Sequence, residues 1–249
     1  IYPKKEINWE SVKKAMDAGV PQEQLKHYTG AFVVNLVDYS GSVTVPIDQP
    51  VEIWNGGTGF MLIKRDVLEG LTALARAARA RNNGKFIGVT GSVGKTGTKE
   101  ALRLALSRDG ETHASTASYN NHWGVPLSLA RCPQSARFAV LEMGMNHAGE
   151  ISPLTRLVRP HVAIVTTVEP VHLEFFGSVE KIADAKAEIF EGVVKGGAAV
   201  INRDNPHFAR LEKAAKAAGV EHVVSFGSHE KANARLIKVA LQADSSTVQ

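Results

Sequence analysis

The chain has a single cysteine, Cys132, among 249 residues. That excludes an intramolecular disulfide and a multi-cysteine metal site, and it suits a reducing cytoplasm. No apolar run reaches the length of a membrane span. The opening "IYPKKEINWE" has neither an apolar signal region nor an initiator methionine, so a processed chain or a fragment is expected. Strong charge is also missing: 29 Lys and Arg against 25 Asp and Glu leave a formal +4. That balance suits anionic small molecules and does not argue for nucleic acid or a membrane surface. The densest basic cluster, "ARAARARNNGK" (75–85), reads as a solvated helix face bearing Arg76, Arg79 and Arg81.

What is present is a core and a rhythm. Apolar residues make up 44% of the chain, enough for one large domain or two small ones. From about residue 70 strand and helix patterns alternate. "LTALARAARAR" places Leu71, Leu74, Ala75 and Ala78 on one helical face. "KFIGVTG", "RFAVLEMG", "HVAIVTTV", "AAVIN" and "HVVSFG" read as strands. Between them "TGTKEALRLALSR", "AGEISPLTRLVR", "SVEKIADAKAEIFEGV" and "PHFARLEKAAKAAG" read as helices, the third with Ser178 as N-cap. This predicts an α/β domain over 70–249, a mainly parallel sheet with helices on both faces. Residues 1–69 form a separate, irregular, β-containing segment. There "SVTVPIDQPVEIW" alternates but is broken by Pro46 and Pro50, as edge strands or a hairpin are, with "NGGTGF" as a turn.

The segment "GVTGSVGKTGTKE" (88–100) lies between a strand and a helix. The first turn of a helix has N–H groups without internal partners, and the helix dipole adds positive character. Gly91 and Gly94 let the backbone approach a phosphate, Lys95 reaches the terminal phosphates, and the Thr96 hydroxyl is placed for Mg²⁺. The usual spacing, Gly, four residues, Gly-Lys-Thr, would put its first glycine at Val89. Glu142, ending the strand of "LEMGMNHAGEI", is a candidate Mg²⁺ ligand, with a solvated strand-end acid as the alternative. On "SVEKIADAKAEIFEGV", Ile182, Lys186, Ile189 and Val193 share one stripe, while Lys181, Asp184 and Glu188 lie elsewhere. Lys186 therefore faces the core, either snorkelling past its edge or aimed into a site.

The wording "TGSVGKTGTKE" resembles the phosphate loop of the Mur ligases, ATP-dependent amide-forming enzymes of peptidoglycan synthesis, whose loop begins Thr-Gly. The resemblance accounts for Val89 and implies that Gly91, Ser92, Gly94, Lys95 and Thr96 bind ATP. It implies two Mg²⁺ ions held by Thr96, Glu142, His172 of "TVEPVHLEFFGS" and a carbamylated Lys186, with Lys95, His172 and Lys186 as catalytic residues. "ASYNNHWGVPLSLAR" resembles the segment facing the nucleotide-sugar peptide, so Asn120 and Asn121 are implied substrate contacts; a turn and helix cap is the alternative. "INRDNPHF" resembles the segment near adenine, implying Asn202 and Asp204.

"VTGSVGKTGTKEAL", "YNNHWGVPLSLAR" and "AKAEIF" are most similar to the branch that joins D-Ala-D-Ala to UDP-N-acetylmuramoyl-tripeptide. Departures leave two other readings open. The family's uridine-binding Ser-x-Asp-Ser-Arg-like motif is not found in 1–69, its third domain is missing, and no Gly-x-His-Asn-type segment follows residue 230. The central domain is therefore expected to end early, and a nucleotide-binding fragment without ligase turnover is the first alternative. "NGGTGFMLIKRDVLEGL" (55–71) resembles a segment of nucleotide-sugar glycosyltransferases, so a glycosyltransferase fragment or a fused frame is the second. Against that one, the sequence has no Asp-x-Asp pair.

Overall fold

The structure is a computed structural model that describes residues 33–34, 43–44, 53–56, 59–62, 65–116, 118–171, 173–241 and 245–249. The chain divides into two compact units, residues 1–70 and 71–249. In the first, strand β1 (Val33–Val34) pairs antiparallel with β2 (Val43–Thr44). Strand β3 (Ile53–Gly56) pairs antiparallel with β4 (Gly59–Leu62), with Gly56 opposite Gly59.

Helix α1 (Arg65–Arg81) leads into the second unit. There follow β5 (Lys85–Thr90), α2 (Lys95–Leu106), β6 (Thr112–Ala114), α3 (Gly124–Ala130), β7 (Phe138–Glu142) and α4 (Ile151–Val158). Next come β8 (Val162–Val165), the short α5 (Leu173–Phe176), and α6 (Val179–Ala187), which passes into a 3₁₀ turn over Glu188–Gly192. The chain continues through β9 (Ala198–Asn202), α7 (Phe208–Ala217), β10 (His222–Gly227) and β11 (Ala234–Arg235). A final antiparallel pair joins β12 (Val239–Leu241) to β13 (Ser246–Val248).

The main sheet has the order β11-β10-β9-β8-β5-β7-β6 and every pairing in it is parallel. Its strands read as apolar runs because both faces are covered. Phe86, Leu141, Val165 and Ile201 belong to one core cluster, packed with α3, α4, α6 and α7. Ile87, Val89, Val140 and Ile164 belong to a second, packed against Leu102 and Leu106 of α2. After β5 the chain runs outward to β6 and β7, then crosses to β8 on the other side. That reversal opens a crevice at the carboxyl ends of β5, β7 and β8, where open α/β sheets place ligands. Among the described residues no helix is long and apolar enough to cross a membrane.

Two sequence expectations for α1 fail together. Leu74 is 64% exposed, whereas Arg79, expected on a solvated face, is 9% exposed. Arg79 takes the inward place beside Ala75 and Ala78. Its Nε donates to the Val158 carbonyl (2.7 Å) and Nη2 to that of Arg159 (3.0 Å), the end of α4. Its guanidinium lies 4.1 Å from the centroid of the Phe86 ring. A guanidinium can be buried here because a helix terminus leaves carbonyls unpaired. Arg79→Ala is expected to cost roughly 2–4 kcal/mol, since it leaves those carbonyls buried and removes the stacking. The exposed Arg76→Ala should stay within about 0.5 kcal/mol. Urea denaturation of both variants checks this.

The stripe on α6 holds where the helix is regular. Ile182, Lys186 and Ile189 are buried and Val193 only half so, because the tightening at Glu188 breaks the 3.6-residue period. Ser178 caps the helix, accepting from the Lys181 N–H at 3.3 Å.

Candidate functional site

The loop between β5 and α2 carries two glycines at positive φ, Gly91 at 149° and Gly94 at 83°. Gly94 is the N-cap of α2 and its carbonyl accepts the Thr98 N–H, so the loop turns directly into the helix start. At Gly91 a Cβ would run into the Thr166 hydroxyl. That hydroxyl donates to the Val93 carbonyl (2.6 Å), while the Ser92 N–H donates to the Thr167 carbonyl (2.9 Å). The Ser92 hydroxyl accepts from the Glu169 N–H (2.8 Å) and donates to the Glu169 carbonyl (3.1 Å). The loop after β8 thus laces the glycine loop in place. Thr166 and Glu169 were not singled out from sequence; their only trace there is the polar "TTVE" directly after an apolar strand.

Lys95 arches back over its own loop, its ammonium donating to the carbonyls of Gly91 (2.8 Å) and Ser92 (3.4 Å). Burial lowers its pKa, and the nearby Glu142 carboxylate works in the opposite direction. Glu142 ends β7 and is 1% exposed. Its Oε2 accepts from the Thr96 hydroxyl (2.9 Å) and its Oε1 from the Asn120 amide (2.8 Å). Those donors are neutral, and no ion pair to Glu142 forms among the described residues. The alternative reading of Glu142 as a solvated strand-end acid is therefore excluded.

Lys186 is 3% exposed. Burial first, and the Lys95 ammonium second, bring its pKa down from 10.5 to about 7. Its own ammonium makes no hydrogen bond or ion pair among the described residues. On the same face of the sheet, by the two-residue alternation with Phe86 and Gly88, Thr90 presents a buried hydroxyl with no partner among the described residues. Polar groups buried in this way are rare away from functional sites.

The other sequence candidates divide. Asn121 caps α3, its Oδ1 accepting from the N–H groups of Trp123 (3.0 Å) and Gly124 (2.9 Å). The cap reading describes Asn121, while Asn120 points to Glu142. The Asn202 Oδ1 accepts from the Asp204 N–H (2.9 Å). The Asp204 carboxylate accepts from the Ser228 (2.6 Å) and His229 (2.8 Å) N–H groups, so it holds the loop after β10. Asn205 escaped notice in the sequence, yet its amide donates to Thr167 Oγ1 (3.0 Å) and the Val168 carbonyl (2.9 Å). His172 lies outside the described residues.

No group of three His, Cys, Asp or Glu suited to a metal occurs among the described residues. The Thr96 hydroxyl and Glu142 carboxylate nonetheless form a hard oxygen pair beside a phosphate loop. Such a pair fits Mg²⁺, which keeps several waters and takes one or two protein oxygens.

A glycine turn entering a helix, Lys95 and Thr96 at the helix start, and a buried carboxylate at the neighbouring strand end define a phosphate-loop nucleotide-binding domain. Residues 89–249 match the Mur ligase middle domain, and the chain belongs to the Mur ligase family. It is 37% identical over 206 residues to the UDP-N-acetylmuramoyl-tripeptide–D-alanyl-D-alanine ligase of Rickettsia prowazekii, covering 83% of this chain and 45% of that one. A crystal structure of MurF from Acinetobacter baumannii superposes with a TM-score of 0.69 at 32% identity, over 82% of this chain and 43% of that one. The MurF ligase from Thermotoga maritima in complex with ADP gives 0.66 at 29% identity, over 79% and 44%. The chain thus spans less than half the length of these relatives.

Proposed function

We propose that residues 70–249 are the ATP-handling central domain of a cytoplasmic ligase that joins D-Ala-D-Ala to UDP-N-acetylmuramoyl-tripeptide. The observation that carries this is the closed constellation of Gly91, Gly94, Lys95, Thr96 and Glu142 at the crevice of the sheet. The branch of the family follows from the relatives' names and the 37% identity to one of them.

In the reaction the tripeptide carboxylate attacks the γ-phosphorus of ATP, giving an acyl phosphate and ADP. The D-Ala-D-Ala amine then attacks the acyl carbon; an N–C bond forms, the C–O bond to phosphate breaks, and a proton leaves the nitrogen. Such chemistry depends on positioning and charge neutralisation. Gly91 and Gly94 let the backbone of the loop come close to the phosphates, Ser92 ties that loop to the segment after β8, and Lys95 brings a cation to the transferred group. Thr96 and Glu142 would hold one Mg²⁺, and His172 with a carbamylated Lys186 a second. When bound, these ions would supply positive charge that offsets the charge of the phosphates. Asn120 orients Glu142 and lies where the peptide substrate approaches, with Asn121 fixing the turn beside it. By the same resemblance Asn202 and Asp204 would lie beside adenine.

Residues 1–69 are best read as part of the same ligase chain. The Rickettsia match covers 83% of the chain, more residues than 70–249 contains, so the likeness enters the N-terminal segment. That disfavours a glycosyltransferase piece.

Calorimetric titration of Mg-ATP into this chain and into Lys95→Ala tests the site. Loss of the ammonium's charge-assisted contacts should weaken binding roughly 10- to 100-fold. A folded wild-type chain that binds no Mg-ATP would overturn the reading. Phosphate release on adding both substrates then separates a turning-over ligase from a nucleotide-binding fragment.

A further inference from the structure

Lys99 lies one helical turn beyond Lys95 on α2 and is fully buried, at 0% exposure. A cation in such a place costs several kcal/mol unless it is put to use, and methionine would fill the same volume without that cost. Its ammonium donates to the Ser115 carbonyl at 2.7 Å and lies 3.1 Å from Glu100 Oε1. Glu100 is half in solvent, so that ion pair contributes little. The carbonyl is the informative partner, because Ser115 is where the chain leaves β6.

From Ser115 two routes lead to Glu142. The Ser115 hydroxyl accepts the backbone N–H of Glu142 at 3.2 Å. The following segment arrives at Asn120, whose amide donates to Glu142 Oε1. Three residues before Lys99, on the same side of the helix, Thr96 donates to Glu142 Oε2. Lys99, Ser115, Asn120, Glu142 and Thr96 therefore form a ring of contacts between the phosphate-loop helix and the strand-end carboxylate.

We infer that Lys99 is a positioning residue, which clamps the Ser115–Asn120 segment to the phosphate-loop helix and so aims the Glu142 carboxylate at Thr96. The inference rests on the reading of Thr96 and Glu142 as the Mg²⁺-holding pair.

The test uses the whole chain with the substitutions Lys99→Met, Lys99→Arg and Ser115→Ala. Two quantities are read: the Mg²⁺ concentration that half-saturates ATP binding, and amide hydrogen exchange over 115–121 in nucleotide-free protein. Lys99→Met should raise the half-saturating Mg²⁺ about tenfold, in line with the loss of other groups that orient metal ligands, and leave ATP affinity at saturating Mg²⁺ within about twofold. Lys99→Arg, which keeps a donor, should recover most of that shift. Ser115→Ala should move it in the same direction, and combining it with Lys99→Met should add little, since both act on one contact chain. Exchange over 115–121 should speed up about tenfold in Lys99→Met, while amides 91–94 stay unchanged.

Lower thermal stability in Lys99→Met with unaltered Mg²⁺ dependence would reduce Lys99 to a packing residue and overturn the inference. If Lys99→Met does not fold, an unaltered Mg²⁺ dependence in Ser115→Ala overturns it equally. A wild type that binds no ATP defeats the nucleotide reading itself; unchanged exchange over 115–121 defeats the clamp alone.

Discussion

Replacing Lys186 by methionine should stabilise this chain near pH 6 by roughly 2–5 kcal/mol, an unusual result for a buried substitution. The sign follows from linkage. In the unfolded chain Lys186 titrates near its ordinary 10.5; in the folded chain burial and the Lys95 ammonium bring it to about 7. Below pH 7 both states carry the proton, and the folded state bears the whole cost of a buried charge. Between pH 7 and 10.5 the unfolded state binds more protons, so wild-type stability rises with pH. The advantage of Lys186→Met should therefore be largest near pH 6 and shrink toward pH 10, as urea denaturation at both ends would show.

The same shift makes Lys186 chemically apt for carbamylation. Near neutrality much of it is free amine, whose nitrogen bonds to the carbon of CO₂ and loses a proton to solvent, leaving an anion. Bicarbonate is thus expected to raise the melting temperature of the wild type and not of Lys186→Met. A variant less stable than wild type at every pH would show that the ammonium is held by a partner, and would remove the ground for a metal-binding carbamate.

Gly91→Ala carries the largest expected loss of binding. At φ 149° an L side chain is strained, and here the new Cβ meets the Thr166 hydroxyl that secures the Val93 carbonyl. Strain of about 1–3 kcal/mol and a clash of similar size should lower stability by about 2–5 kcal/mol. The loop must reshape to accept the methyl group, so Mg-ATP affinity should fall more than ~100-fold, beyond the effect of Lys95→Ala. Gly97 offers the comparison: it is inside α2, a Cβ there meets nothing within 4 Å, and Gly97→Ala should be neutral or slightly stabilising. Parallel calorimetry and denaturation of the two variants check this. Equal binding by Gly91→Ala and wild type would mean that the loop is not the nucleotide site.

These two positions also mark how much was readable in advance. Gly91 and Lys186 were both found in the sequence, because each announces itself over a few residues. A glycine before Gly-Lys-Thr at a strand's end and a lysine on an apolar helical stripe are local patterns. Thr166, Asn205, Arg79 and Lys99 were not found or were misplaced. Arg79 shares the spacing of Arg76 and Arg81, and nothing within α1 says that its partners are the carbonyls of Val158 and Arg159. Asn120 and Asn121 are identical neighbours in sequence; one holds Glu142 and the other caps α3.

By itself the sequence determined the strand and helix rhythm, the parallel sheet, the glycine loop and its lysine, since each rests on periodicity or on backbone freedom that neighbours within one element share. Only the tertiary structure decided which polar groups lose their water. Glu142 is a buried carboxylate, Lys186 an amine buried without a partner among the described residues and Lys99 a buried cation on the Ser115 carbonyl because strands and helices distant in sequence close over them, and desolvation depends on everything within a few ångströms rather than on the chain's next residue.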